Sequence, residues 1–254
     1  MKLTVYGTRG SYPIARRDQL HYGGNSTCLH VRSRSGQDLV LDAGSGIRLL
    51  GQEMIERELG TGQGQAIILV SHTHWDHILG FPFFVPLRRR GNRLVVVSAG
   101  QTGAHIRDIL SGQQETTNFP VPLDDLEATL EYVTFKPGDT LSLGEFRVET
   151  VQLNHPGITV GYRIEADGCA VAIYTDTGRV REIRLGDGMG GSRPDTGFSR
   201  AYLAQIVHCA RQADVLVHDT YFLEHEMRGR YHFGHSTIED ALEVARQAQV
   251  EQLV

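Results

Sequence analysis

His72-Thr73-His74-Trp75-Asp76-His77 follows directly on the apolar run Ala66-Ile67-Ile68-Leu69-Val70-Ser71, so four metal-seeking side chains fall within six positions at the end of an expected strand. An extended chain alternates its faces, so His72 and His74 project to one side, and the following turn can send Asp76 and His77 to a second point close by. Two adjacent cations are the natural occupants. The bland alternative is a polar loop whose histidines happen to cluster. Four ligand-type residues in six, otherwise crowding like charges together, argue against it.

The bulk properties set the frame for this motif. The chain has 254 residues, 40% of them hydrophobic, and no apolar stretch near the ~20 residues that a membrane-spanning helix requires. Its first ten residues look like a strand entering a turn and lack the apolar centre of a secretory signal, so a cytoplasmic location is the default expectation. Cys28, Cys169 and Cys209 are odd in number and widely spaced, which indicates neither a disulfide framework nor a zinc knuckle. Each is read as a small buried apolar residue. A formal net charge of −5 gives no global reason to bind nucleic acid. Arg88-Arg89-Arg90 is a local basic run, read as a solvated helix end facing the helix dipole.

Short apolar runs bounded by Gly, Asp, Asn or Pro predict strands over 2–6, 27–32, 38–41, 66–71, 93–98, 129–134, 141–151, 160–165 and 169–174. Helical spacing predicts helices over 46–57, 103–111, 199–212 and 236–248, the last opened by Ser236-Thr237-Ile238-Glu239, where hydroxyls can cap. Strands in meanders with helices between groups favour two mixed sheets with helices outside, an α+β arrangement. No repeat and no long polar linker appears, so residues 1–254 are expected to form a single domain. Gly186-Asp187-Gly188-Met189-Gly190-Gly191-Ser192 lacks the strand-then-helix context of a phosphate loop and is read as an insertion.

Four further segments end an apolar run in a polar residue: Leu39-Val40-Leu41-Asp42, Val151-Gln152-Leu153-Asn154-His155, Val171-Ala172-Ile173-Tyr174-Thr175-Asp176 and Val215-Leu216-Val217-His218-Asp219. Each alone is a common turn opening; four together would deliver side chains to one rim of a sheet. In this order, Asp42, the His72-to-His77 cluster, His155 and Asp176, the chain resembles the metallo-β-lactamase superfamily. The resemblance implies an αββα sandwich of two mixed sheets flanked by helices, with a dinuclear site along one edge. It assigns His72, His74 and His155 to a first metal, Asp76 and His77 to a second, and Asp176 to a bridge, with Asp42 orienting a ligand from behind. Imidazole and carboxylate donors without thiolate suit Zn²⁺, Mn²⁺ or Fe²⁺.

Gly234-His235-Ser236-Thr237, with Asp219 as an acidic partner, resembles the phosphodiesterase branch that holds the tRNA 3′-processing ribonucleases and the phosphoribosyl cyclic phosphodiesterases. There the histidine is a general acid and the acidic residue orients it. In the two-ion mechanism expected here, Asp76 is a ligand that can also hold the attacking hydroxide. The glycine loops Gly7–Ser11 and Tyr22–Thr27 also look like this branch, and Ser11 and Asn25 are weaker candidates for substrate contact. The expected function is a metal-dependent hydrolase, a phosphodiesterase for a small phosphodiester, cyclic ones included, acting without a membrane and compatible with a homodimer. The alternative is tRNA 3′-end processing. Bacterial enzymes of that kind often carry a tRNA-gripping arm between the single His and the bridging Asp, whereas 20 residues separate His155 from Asp176. A non-catalytic metal-binding scaffold is a third reading. The resembling branch takes a seventh ligand from a histidine after the final strand, so the chain is expected to continue past Val254, with His232 as the nearest internal substitute.

Overall fold

A computed structural model describes residues 1–100, 105–179 and 196–254. The fold is α+β, with two mixed six-stranded sheets, each carried by its own compact unit, Met1–Lys136 and Pro137–Val254. The glycine-rich stretch 186–192 and the first two residues of the helix expected over 103–111 lie outside the described residues.

In the first unit the sheet runs in sequence order through β1 (Lys2–Gly7), β2 (Cys28–Arg32), β3 (Asp38–Leu41), β4 (Gln65–Val70), β5 (Arg93–Ala99) and β6 (Thr129–Phe135). The first three strands are antiparallel neighbours, and β3 to β6 are parallel. Residues 39–41 of β3 and 66–70 of β4 read as unbroken apolar runs because both faces of these stretches are buried. Val40, Ile68 and Val96 share one cluster with α1 (Ile47–Met54), which turns Ile47, Leu50, Gly51 and Met54 inward at helical spacing. The helix expected over 46–57 therefore stops early, and a separate turn, α2 (Glu58–Thr61), follows it. Beyond β4 comes α3 (Trp75–Ile78), and α4 (Ile106–Gln113) follows β5. Arg88, Arg89 and Arg90 are exposed at the end of a 3₁₀ turn, with Arg88 reaching the Pro82 carbonyl.

The second unit orders its strands as β12 (Gln252–Leu253), β11 (Val215–His218), β10 (Cys169–Tyr174), β9 (Val160–Ala166), β8 (Phe146–Gln152) and β7 (Thr140–Leu143). Strands β10 to β12 are parallel and β7 to β10 antiparallel. The single strand expected over 141–151 is a hairpin, turned at Gly144 with φ 60°. Its apolar alternation continues on both sides of the turn, so the pattern alone does not show the break. Two helices, α5 (Thr196–Ala210) and α6 (Ile238–Ala248), cover one face of this sheet through Tyr202, Ile206, Val244 and Ala248. Thr237 caps α6, with Asp240 rather than Glu239 closing the capping box.

Candidate metal centre and proton-donor pair

In the first unit the ligand-type residues sit at the end of β4, where the chain bends into α3. Asp42, one residue past β3, is fully buried and adopts φ 60°, a left-handed conformation rare for a non-glycine residue. That strain is balanced by what the side chain accepts: the Ser71 backbone N–H at 2.7 Å, the Ser71 hydroxyl at 2.8 Å and His77 Nδ1 at 2.7 Å. With its Nδ1 proton held by Asp42, His77 presents the lone pair of Nε2, which lies 3.3 Å from Asp76 Oδ2. The Ser11 backbone N–H, at another left-handed residue with φ 67°, donates to the same Asp76 Oδ2 at 2.7 Å. Ser11 thus meets Asp76 through its main chain, while Asn25 accepts from the Ser45 hydroxyl at 3.0 Å. His72 Nε2 and His74 Nδ1 stand 2.9 Å apart, as the alternation of the strand end requires.

In the second unit the set is gathered from four loops. His155 donates from Nδ1 to the Gly234 carbonyl at 2.8 Å, which leaves Nε2 as its lone-pair nitrogen. Gly234 is required there: a Cβ on it would meet Pro156 Cδ at 2.5 Å and His155 Nδ1 at 2.7 Å, and its φ is +74°. Asp176, past the end of β10, places Oδ2 3.6 Å from His155 Nε2. His155, Asp176 and His235 offer ligand atoms that all lie within 4.8 Å of one another. Asp219, past β11, is the anchor for His235: its Oδ2 meets His235 Nδ1 at 2.8 Å and the Thr177 N–H at 3.1 Å, while Oδ1 accepts from the Tyr221 N–H at 2.8 Å. Burial raises the Asp219 carboxyl above its ordinary value, against the opposing pull of His235.

The donor sets fit divalent ions. Two ligand atoms on one tetrahedral zinc stand about 3.3 Å apart, and the pairs here lie at 2.9, 3.3 and 3.6 Å. The tautomers of His77 and His155 are fixed by the outward hydrogen bonds that metal-ligating histidines characteristically make.

Three supporting residues carry no sequence signal of their own. The buried Tyr202 hydroxyl accepts from the Asn154 N–H at 3.0 Å and pairs with Thr177 Oγ1 at 2.6 Å, tying together the segments that precede His155 and follow Asp176. Burial pushes this phenol up to about 12. Arg179, itself buried, forks onto Glu224 at 2.9 Å through each terminal nitrogen and sets Nε 3.2 Å from Asp240 in the first turn of α6. The Tyr221 ring stacks on His235. His232 is exposed and packs its ring on Phe233 at 4.4 Å.

A family model for the β-lactamase superfamily domain matches residues 38–254. Ribonuclease Z of Haloarcula marismortui is 24% identical over 279 aligned residues, covering 98% of this chain and 83% of that protein. Among solved structures, the metallo-β-lactamase fold protein YhfI from Bacillus subtilis aligns with TM-score 0.67 and 17% identity over 99% of this chain and 83% of its own. Human tRNase Z, short form, aligns with TM-score 0.66 and 18% identity over 100% and 92%. No helix among the described residues is long and apolar enough to cross a membrane.

Proposed function

The chain belongs to the β-lactamase superfamily domain family and is a metal-dependent hydrolase, and on that premise we propose that it cleaves RNA phosphodiesters as a 3′-end-processing ribonuclease. The observation that carries this reading is the Asp219–His235 contact at 2.8 Å, in a chain similar over nearly its whole length to ribonuclease Z. A metal centre alone can activate water; a proton donor held beside it is what an alkoxide leaving group needs. The relatives reverse the order of the two readings drawn from the sequence, which put a small phosphodiester first.

In this proposal His72, His74 and His155 would hold one divalent ion and Asp76 and His77 a second, with Asp176 shared between them, and Zn²⁺, Mn²⁺ and Fe²⁺ are all compatible with the donors. Two such ions, when bound, supply a water acidified into the neutral range and a clamp on the phosphoryl oxygens. The chain's own residues do the rest. Asp42 holds the Nδ1 proton of His77 and Ser11 steadies Asp76, so both ligands meet their ion in one orientation. Asp219 holds the Nδ1 proton of His235, and His235 delivers a proton from Nε2 to the leaving ribose oxygen.

One observation favours the second reading, a small cyclic phosphodiester. The stretch from His155 to Asp176 is filled by the β9–β10 hairpin, closed at Asp167-Gly168, with no insertion for a tRNA-gripping arm. Turnover of precursor tRNA carrying a 3′ trailer, cyclic nucleotides and bis-p-nitrophenyl phosphate, each with Zn²⁺ or Mn²⁺, tests the choice. The proposal expects the highest kcat/KM on precursor tRNA, with release of the trailer. Turnover of cyclic nucleotides alone would establish the second reading, and no turnover of any substrate would leave a metal-binding scaffold.

A further inference from the structure

The loop from Thr220 to Gly234 commits only part of itself to the Asp219–His235 pair. Tyr221, Leu223 and Phe233 leave 45%, 47% and 51% of their surface exposed, a local concentration of large apolar side chains on both sides of a buried imidazole. The Tyr221 ring lies nearly parallel to the His235 ring, with centroids 4.6 Å apart and planes at 21°, and it meets Phe222 edge-on at 4.8 Å. Phe222 is buried and reaches Phe233 at 6.5 Å. Positive charge is interleaved with these rings: the Arg230 guanidinium lies 5.5 Å from the Phe222 centroid, and Arg228 and Arg230 are both exposed. Two nearby carboxylates are engaged within the fold, Glu224 with Arg179 and Glu226 with the Leu223 N–H.

Packing explains Phe222, which is buried. It does not explain two aromatic rings held at the surface beside a proton donor. Aromatic faces with guanidinium groups among them recognise unpaired nucleobases joined by phosphates, because every base has a stackable face. We infer that Tyr221 and Phe233 form a stacking platform for an unpaired nucleobase of an RNA substrate, with Arg228 and Arg230 supplying positive charge for the adjoining phosphates. Since Tyr221 rests on His235, the base it holds belongs to the nucleotide that carries the leaving oxygen. This inference rests on the proposed RNA cleavage for its substrate, but its binding step can be measured separately.

Fluorescence anisotropy of a short labelled single-stranded RNA, compared with the same RNA carrying one abasic ribose moved across the scissile position, tests it. For the wild-type protein, an abasic ribose at the leaving nucleotide should weaken binding by about 5- to 100-fold, the usual worth of one stacked base. Tyr221→Leu and Phe233→Leu should weaken binding of the intact RNA by a similar factor and leave the abasic RNA unchanged, whereas Tyr221→Trp should restore it. Equal losses on intact and abasic RNA would reduce Tyr221 to a support for His235 and overturn the platform. So would wild-type binding that ignores the abasic position, or no binding of either RNA. Base-dependent binding without cleavage would sustain the platform and overturn the ribonuclease reading instead.

Discussion

The first unit brings its ligand-type side chains in six consecutive residues; the second collects His155, Asp176, Asp219 and His235 from four separate loops. In the first, one strand end and one short helix set the geometry, and a single buried carboxylate, Asp42, fixes the rest. In the second, the candidate side chains depend on hydrogen bonds between distant segments: His155 on Gly234, Asp219 on Thr177, and the flanks of His155 and Asp176 on Tyr202. Local geometry suffices to gather the first unit's candidate ligands at a strand end. The Asp219–His235 pair is placed by tertiary structure, because the two residues come from separate segments of the chain.

The sharpest way to separate the two regions is to remove one function from each. His72→Ala should lose bound metal and activity together, whereas His235→Ala should keep its metal and lose ~10²–10⁴-fold in kcat. Metal analysis beside steady-state kinetics reads both. The deficit in the His235 variant should shrink for p-nitrophenyl esters, whose leaving group needs no proton. Loss of metal in that variant would make His235 a ligand and erase the distinction.

This asymmetry also decides what the sequence makes legible. The His72–His77 cluster, Asp42, His155, Asp176 and Asp219 all announce themselves as polar residues closing apolar runs, whereas His235 is legible only through the resemblance of Gly234-His235-Ser236-Thr237 to a family motif. Most strands are legible too, because burial on one or both faces imposes alternating or unbroken apolar patterns. Tyr202, Arg179 and Tyr221 are not. Each contributes through a contact with a residue remote in sequence, Asn154, Glu224 and His235 respectively, and such contacts leave no period and no motif. The β7–β8 hairpin escaped for a related reason, since a tight turn can preserve the alternation on both of its arms.

Arg179 tests how far the second unit relies on such contacts. Arg179→Met would leave the Asp240 carboxylate buried without its guanidinium, and breaking a buried ion pair from one side costs about 3–5 kcal/mol. Chemical denaturation should show that loss. Arg179→Lys should recover only part of it, because an ammonium cannot fork onto Glu224. A loss under 1 kcal/mol, as expected for an exposed ion pair, would mean that the α6 start is held by other means.

In the first unit the matching perturbation is milder. Asp42→Asn keeps the shape but replaces a carboxylate that accepts three hydrogen bonds. Metal affinity should fall about 10- to 100-fold, the usual effect of losing a partner behind a ligating histidine. Isothermal titration with Zn²⁺ measures it directly, and unchanged affinity would show that the strand end alone fixes His77.

The smallest effect is expected at Tyr202, where the second unit's dependence on distant contacts is carried by one hydroxyl. Tyr202→Phe removes the acceptor of the Asn154 N–H and the partner of Thr177 Oγ1, and leaving a buried donor unsatisfied costs about 1–3 kcal/mol at neutral pH. The pH dependence reports the burial of the phenol. The folded state holds the Tyr202 phenol up to about 12, against an unfolded value of 10.0. A raised folded value means that the folded chain binds the proton more tightly, so this contribution is complete below pH 10 and is lost as pH rises toward 12. The difference in stability between wild type and Tyr202→Phe should therefore be constant up to pH 10 and shrink above it. A difference that stays constant through that window would mean that the folded phenol ionises near its ordinary value and that burial does not hold its proton.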